Sequence, residues 1–296
     1  MKPFITAHIL CFWFISLSNA QLTEEKNLYQ AADLTPEHLF TAGIEGPAID
    51  KDGNLFVVNF QKEGTIGIIT PGHTPELFVT LPDGSTGNGI RFNQMGEMVV
   101  ADYTGHNILK INPATKTISV FAHEASMNQP NDIAIMTSGI IFASDPNWKD
   151  STGNLWRIDQ DGNVTRLEKN MGTTNGVEVS PDQKHLYVNE SVQRNVWVYD
   201  LDEQGNISGK KLFYHFNDFG MDGMRCDKKG NLYIARYGKG IVSMLSKRGK
   251  LLREIALKGS KPTNVTFGGR DRKTMYVTLQ DRGAVEYFFV SVSGWQ

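Results

Sequence analysis

The sequence predicts an all-β fold, a six-bladed β-propeller with four-stranded blades, on three observations. From about Leu34 onward almost no segment has helical periodicity. Runs rich in Val, Ile, Leu, Phe and Tyr alternate instead with Asp-Gly, Lys-Asp-Gly, Pro-Asp and Gly-Asn turns. A polar residue that opens a short apolar strand recurs six times, at positions 45, 88, 131, 175, 222 and 264, so the intervals are 43, 43, 44, 47 and 42 residues. Each interval holds four short strands, the content of one propeller blade.

The amino end differs from the rest of the chain. Lys2 is the only charge in the first twenty residues, Ile5 to Leu17 is an apolar run, and Ser18-Asn19-Ala20 places small residues before Gln21. Residues 1–20 therefore read as a cleaved secretory signal, which implies a secreted or periplasmic protein. An uncleaved anchor is the alternative, but the run is shorter than the ~18 apolar residues a spanning helix needs. Residues 21–36 carry Glu24-Glu25-Lys26 and read as a polar leader.

Residues 37–296 then form a single propeller domain, since no linker breaks the period. The first blade shows its second strand at Leu55-Phe56-Val57-Val58, and the second shows its third at Asn107-Ile108-Leu109-Lys110-Ile111. Comparable strands are Asn195-Val196-Trp197-Val198-Tyr199 and Leu232-Tyr233-Ile234-Ala235. The last copy runs out near Val290, one strand short. His38-Leu39-Phe40-Thr41 is expected to supply that strand and close the ring, which removes the exposed sheet edge.

Composition narrows the function. Thirty basic and 32 acidic residues give a formal charge of -2, with no basic run, so nucleic acid and anionic membrane surfaces are not expected partners. Without residues 1–20 the lone cysteine is Cys226, so no internal disulfide is available. Its strand is apolar, and a small core residue is the simplest reading. There is no His-Glu-x-x-His, Gly-x-Ser-x-Gly or phosphate loop. His106, His123, His185 and His215 share no spacing and read as surface residues. Asn163 and Asn206 open glycosylation sequons.

The chemistry lies in the repeats. First strands of propeller blades line the central channel, and the residues opening them are Glu45, Asn88, Asn131, Asn175, Asp222 and Asn264. All six carry oxygen. Converging them on one axis is costly unless something satisfies them. Two carboxylates with neutral amide oxygens, and no Cys or His, describe a hard-cation site, better suited to calcium than magnesium. Another divalent cation is the alternative. The competing reading is that Asn-Gly and Asp-Gly are turn dipeptides chosen for positive φ. Asn131-Asp132 and Asn264-Val265 weigh against it, because the polar residue persists without the glycine. Second strands return to the same face, so Asn59, Asp102, Asp145, Glu190 and Arg236 are expected to form a polar wall. Such strand ends are also common solvated turns.

In order along the chain, Glu45-Gly46-Pro47, Pro130-Asn131-Asp132, Ser144-Asp145-Pro146, Asn175-Gly176-Val177 with Ser180-Pro181-Asp182, and Asp222-Gly223-Met224 resemble the SMP-30/gluconolactonase family. The resemblance spans about residues 40–290. It implies a six-bladed propeller and a calcium-dependent hydrolase of sugar lactones or related esters. The implied metal ligands are Glu45, Asn175 and Asp222, with Asn131 a further ligand or a substrate contact. Asp222 is the implied catalytic base, and Asp145 or Glu190 would serve if coordination weakens it. Asn88, Asn131, Gln129, Asn59, Asp102 and Arg236 are the candidate substrate contacts. Gln129 departs from the family, whose sugar-lactonase members often carry arginine there, so a charged substrate contact is missing. The competing function class is a non-catalytic propeller that binds a small ligand or protein through the same face.

Overall fold

The computed structural model describes residues 28–295. The expected signal at residues 1–20 and the first part of the leader lie outside the described residues. Among those described, every regular element is a strand: 24 strands in six four-stranded antiparallel sheets.

The chain enters with β1 (Ala32–Asp33). Blade one is β2 (Phe40–Ile49), β3 (Leu55–Phe60), β4 (Thr65–Ile69) and β5 (Glu76–Thr80). Blade two is β6 (Gly87–Phe92), β7 (Met98–Asp102), β8 (Asn107–Ile111) and β9 (Ile118–His123). Blade three is β10 (Ile133–Ile135), β11 (Ile141–Asn147), β12 (Thr152–Ile158) and β13 (Val164–Met171). Blade four is β14 (Thr174–Val179), β15 (His185–Glu190), β16 (Asn195–Leu201) and β17 (Ile207–His215). Blade five is β18 (Met224–Cys226), β19 (Leu232–Arg236), β20 (Ile241–Leu245) and β21 (Leu251–Ala256). Blade six takes β22 (Pro262–Gly268), β23 (Thr274–Leu279) and β24 (Ala284–Phe289), and its outer strand is β1.

An N-terminal strand does close the ring, but not the one expected. Ala32 pairs with Tyr287 and Asp33 with Glu286, while Phe40 begins the inner strand of blade one. The closing residues come from the polar leader because their role is backbone pairing at an edge, which leaves no apolar signature in sequence. Charges hold the seam. Arg282 pairs with Asp33 at 2.7 Å and Glu37 at 2.8 Å, and Lys258 pairs with Asp33 at 2.6 Å.

The core is divided among the blade interfaces. Six apolar clusters each join one blade to the next, such as Phe56, Val58 and Ile66 against Ile90, Met98 and Leu109. The cluster of Phe40, Ile44 and Val57 with Val285 closes the circuit between blades one and six. Both faces of a blade are buried against neighbours, so inner strands are apolar runs rather than alternating ones. Cys226 lies in the cluster between blades four and five, as its strand suggested. Burial pushes its thiol pKa well up, which makes it inert.

Candidate active site

At one mouth of the channel the inner strands open into a cavity of about 500 Å³. Five of the six expected ring residues line it: Glu45, Asn88, Asn131, Asn175 and Asp222. Asn264 does not. It lies buried at the floor, where its Nδ2 donates to Glu45 Oε2 at 2.9 Å.

What aims these side chains at the axis is a break in each inner ladder. Register shifts fall at Glu45 in β2, across Asn88 in β6, across Asn175 in β14 and across Asn264 in β22. In blades three and five, β10 and β18 begin only two residues beyond Asn131 and Asp222. A bulge re-aims a side chain and frees its backbone from the ladder. The glycines after Asn88 and Asn175 serve close approach rather than turning, whereas Gly46, after Glu45, has a φ of 54°. Gly89 and Gly176 do not have positive φ. A Cβ on Gly89 would meet Asn131 O at 2.9 Å, and one on Gly176 would collide with Asp222 O. Gly89 N–H in fact donates to Asn131 O at 2.8 Å and Gly223 N–H to Thr263 O at 2.7 Å, so the starts of blades two and five lean on the next blade. This decides against the turn-dipeptide reading.

The floor is electrostatically unbalanced. The Glu45 and Asp222 carboxyls face each other at hydrogen-bonding range. Burial, with Asp132 close by, raises Glu45 to about 7, against the pull of donors from Gly46 N–H and Asn264. Burial and the Glu45 carboxyl push Asp222 well above the ordinary carboxylate range. Two carboxyls crowded into low dielectric cannot both ionise unaided. Beside them Asn131 Oδ1 and Asn175 Oδ1 are buried and accept no hydrogen bond. Among the described residues no three His, Cys, Asp or Glu side chains come together to hold a metal, so these amide oxygens must complete any ligand set. Two carboxylates and two orphaned amide oxygens on one floor are chemically suited to a hard dication. Asn189, not singled out as a site residue, steadies this floor by donating from Nδ2 to Asp222 O at 2.7 Å.

The expected wall is corrected. Of its residues only Asn59 lines the cavity. Asp145 is fully buried and accepts from Asn128 N–H, Gln129 N–H, Asn154 Nδ2 and Trp156 Nε1. Asp102 accepts from Ser85, Thr86, Gly105 and Asn107. Glu190 accepts from Gly172 N–H and Asn195 Nδ2. Arg236 donates to Asp218 and stacks over Phe216, and Gln129 is half-buried outside the lining. These side chains tie blade loops together. The wall consists instead of Tyr103, Ser191 and Tyr237, each one residue beyond an expected one, together with Trp148 and Gln280. Side chains alternate along a strand, so a displacement of one residue exchanges cavity for interior. Glu63, from the β3–β4 turn, completes the wall and carries no repeat signal.

Beneath the floor the channel holds a second charged layer. Arg91 pairs with Asp132 at 3.2 Å and Glu178 at 3.6 Å, and Arg225 pairs with Asp132 at 3.8 Å. All four are nearly fully buried. Trp295 closes this layer from the opposite side, donating from Nε1 to Glu178 Oε1 at 3.0 Å.

Known proteins resemble this chain in sequence and fold. The model of the SMP-30/Gluconolactonase/LRE-like region matches residues 44–281. A gluconolactonase of Zymomonas mobilis is 27% identical over 282 residues, covering 82% of this chain and 79% of that protein. Lactonase drp35 of Staphylococcus epidermidis is 28% identical over 241 residues, covering 63% and 74%. A solved structure of a calcium-binding protein, regucalcin, from Agrobacterium tumefaciens superposes with a TM-score of 0.75 at 21% identity, covering 89% and 97%. At that identity the superposition speaks for the fold.

Proposed function

Because the chain belongs to the SMP-30/Gluconolactonase/LRE-like family, we propose that it hydrolyses lactones or related esters at the cup floor, with calcium held by Glu45, Asn131, Asn175 and Asp222. The observation that carries this reading is the floor itself: two buried carboxyls, both raised chiefly by burial, and two amide oxygens without donors, on one cavity. The relatives named gluconolactonase and lactonase support the reaction class.

Bound calcium would supply positive charge toward the ester carbonyl and keep both carboxyls ionised. Asp222 takes the proton of the attacking water as the water oxygen bonds to the acyl carbon. The ring C–O bond then breaks, and the departing alkoxide recovers that proton. Asn88, on the same floor, orients the substrate oxygens. Asp145 and Glu190 take no part, since their oxygens already serve the blade loops.

The test is hydrolysis of a lactone panel with and without chelator, alongside Asp222→Asn with retained calcium. Turnover that chelator abolishes and calcium restores, with Asp222→Asn lowered by about 10²-fold or more, supports the proposal. Near-normal turnover by Asp222→Asn removes that residue as the base. Ligand binding without turnover of any ester would leave the cup a non-catalytic binding module. We also propose export, on the pattern of residues 1–20. A mature protein beginning at Gln21 is the expected result of N-terminal sequencing.

A further inference from the structure

We infer that the cup wall selects uncharged lactones with an apolar flank, and that Glu63 is the specificity residue that turns anionic ones away. This rests on the lactonase reading above and names its substrate class. The charged side chains of the lining are Glu45, Asp222 and Glu63, all acidic. With one dication at the floor, three carboxylates still leave a net negative cup. The nearby cations stand elsewhere. Arg236 is buried against Asp218 and Phe216, and Lys261 lies outside the lining, 5.9 Å over the Tyr237 ring.

Glu63 is held in place. Its carboxylate accepts from Thr41 Oγ1 and lies against Gly43, where a Cβ would meet Glu63 Oε2 at 2.8 Å. Among the described residues no Lys, Arg or His forms an ion pair with it. The same lining includes Tyr103, Trp148 and Tyr237, which offer ring faces to a bound ligand. A substrate carrying carboxylate, sulfonate or phosphate meets repulsion from these carboxylates and no donor cation in the lining. A neutral one with an apolar side buries against the rings.

The experiment measures kcat/KM for two lactones of the same ring, one neutral and one with an added carboxylate, in wild type, Glu63→Gln and Glu63→Lys. The readout is the neutral-to-anionic ratio, so a general loss from misfolding cancels. Wild type is expected to favour the neutral lactone by about 10-fold or more, and Glu63→Gln to narrow that ratio several-fold, mainly through KM of the anionic lactone. Glu63→Lys is expected to narrow it further or invert it. Added salt should shrink the wild-type ratio and leave that of Glu63→Gln nearly flat. A wild-type ratio near one, or a ratio the same in all three proteins, overturns the inference while leaving lactonase activity standing. Absence of turnover on both lactones and the wider panel counts instead against the lactonase reading, and this inference falls with it.

Discussion

The channel has two buried charged layers, and they solve the same problem differently. In the lower layer Asp132 and Glu178 are matched by Arg91 and Arg225, so the charges cancel within the protein. In the upper layer Glu45 and Asp222 face each other and two amide oxygens, and among the described residues no cation lines that cavity. Burial is comparable, yet only the upper layer lacks a counter-charge among the described residues. A self-balanced layer serves as structure, and an unbalanced one marks where a ligand belongs.

Catalysis should give the largest contrast. Removing Asp222's charge by Asp222→Asn is expected to lower lactone turnover by about 10²-fold or more, whereas Asp145→Asn should alter stability and leave the calcium dependence of turnover intact. Stability should separate the layers next. Asp132→Asn removes the carboxylate that Arg91 and Arg225 share, leaving buried Arg225 without its ion pair, and should destabilise the fold by about 3–5 kcal/mol in urea titration. Glu45→Gln removes a carboxyl the calcium-free fold holds at a penalty, so it should stabilise that form at pH 8. A loss from Glu45→Gln equal to that from Asp132→Asn would erase the distinction.

The pH dependence has its origin in the same asymmetry. Glu45 rises from its ordinary value of 4.5 to about 7 in the fold, and Asp222 also rises. The folded state then binds more protons than the unfolded one above pH 4.5. Stability of the calcium-free protein should therefore be fullest below that pH and decline as pH rises toward 7. Saturating calcium should flatten the decline, so the calcium-induced rise in melting temperature should be larger at pH 8 than at pH 5.5. The smallest effect should come from Trp295→Phe. It removes one donor from Glu178, and Cys226 N–H remains at 3.0 Å, so about 1–2 kcal/mol is expected.

Legibility in the sequence depends on periodicity. The six floor positions repeat every forty-odd residues, and five of them line the cup. The blades are legible for the same reason, because each interval repeats the same strands and turns. The wall is missed by a single step. Asp102, Glu190 and Arg236 stand out as charged strand ends, while their neighbours Tyr103, Ser191 and Tyr237 face the cavity. No composition rule separates a carboxylate that binds substrate from one that gathers backbone N–H groups, as Asp145 does. The bulges that set the facing are a backbone event without a residue signature. Glu63 is invisible in sequence because turns between the second and third strands differ from blade to blade. The closing strand escapes because two residues of edge pairing leave no pattern.

That seam has a kinetic consequence. The chain joins Ala32 to Tyr287, so the circle is completed only when the last strand meets nearly the first. Every other blade can assemble from neighbours in sequence, but this one waits for a loop of more than two hundred residues to shut. On a ribosome, five blades can form before β24 emerges to meet the waiting β1. Until β1 docks, the edge of β24 is an unprotected template for another chain's strand. The short β1 thus acts as a latch, and its Asp33 contacts to Lys258 and Arg282 make the latch responsive to ionic strength.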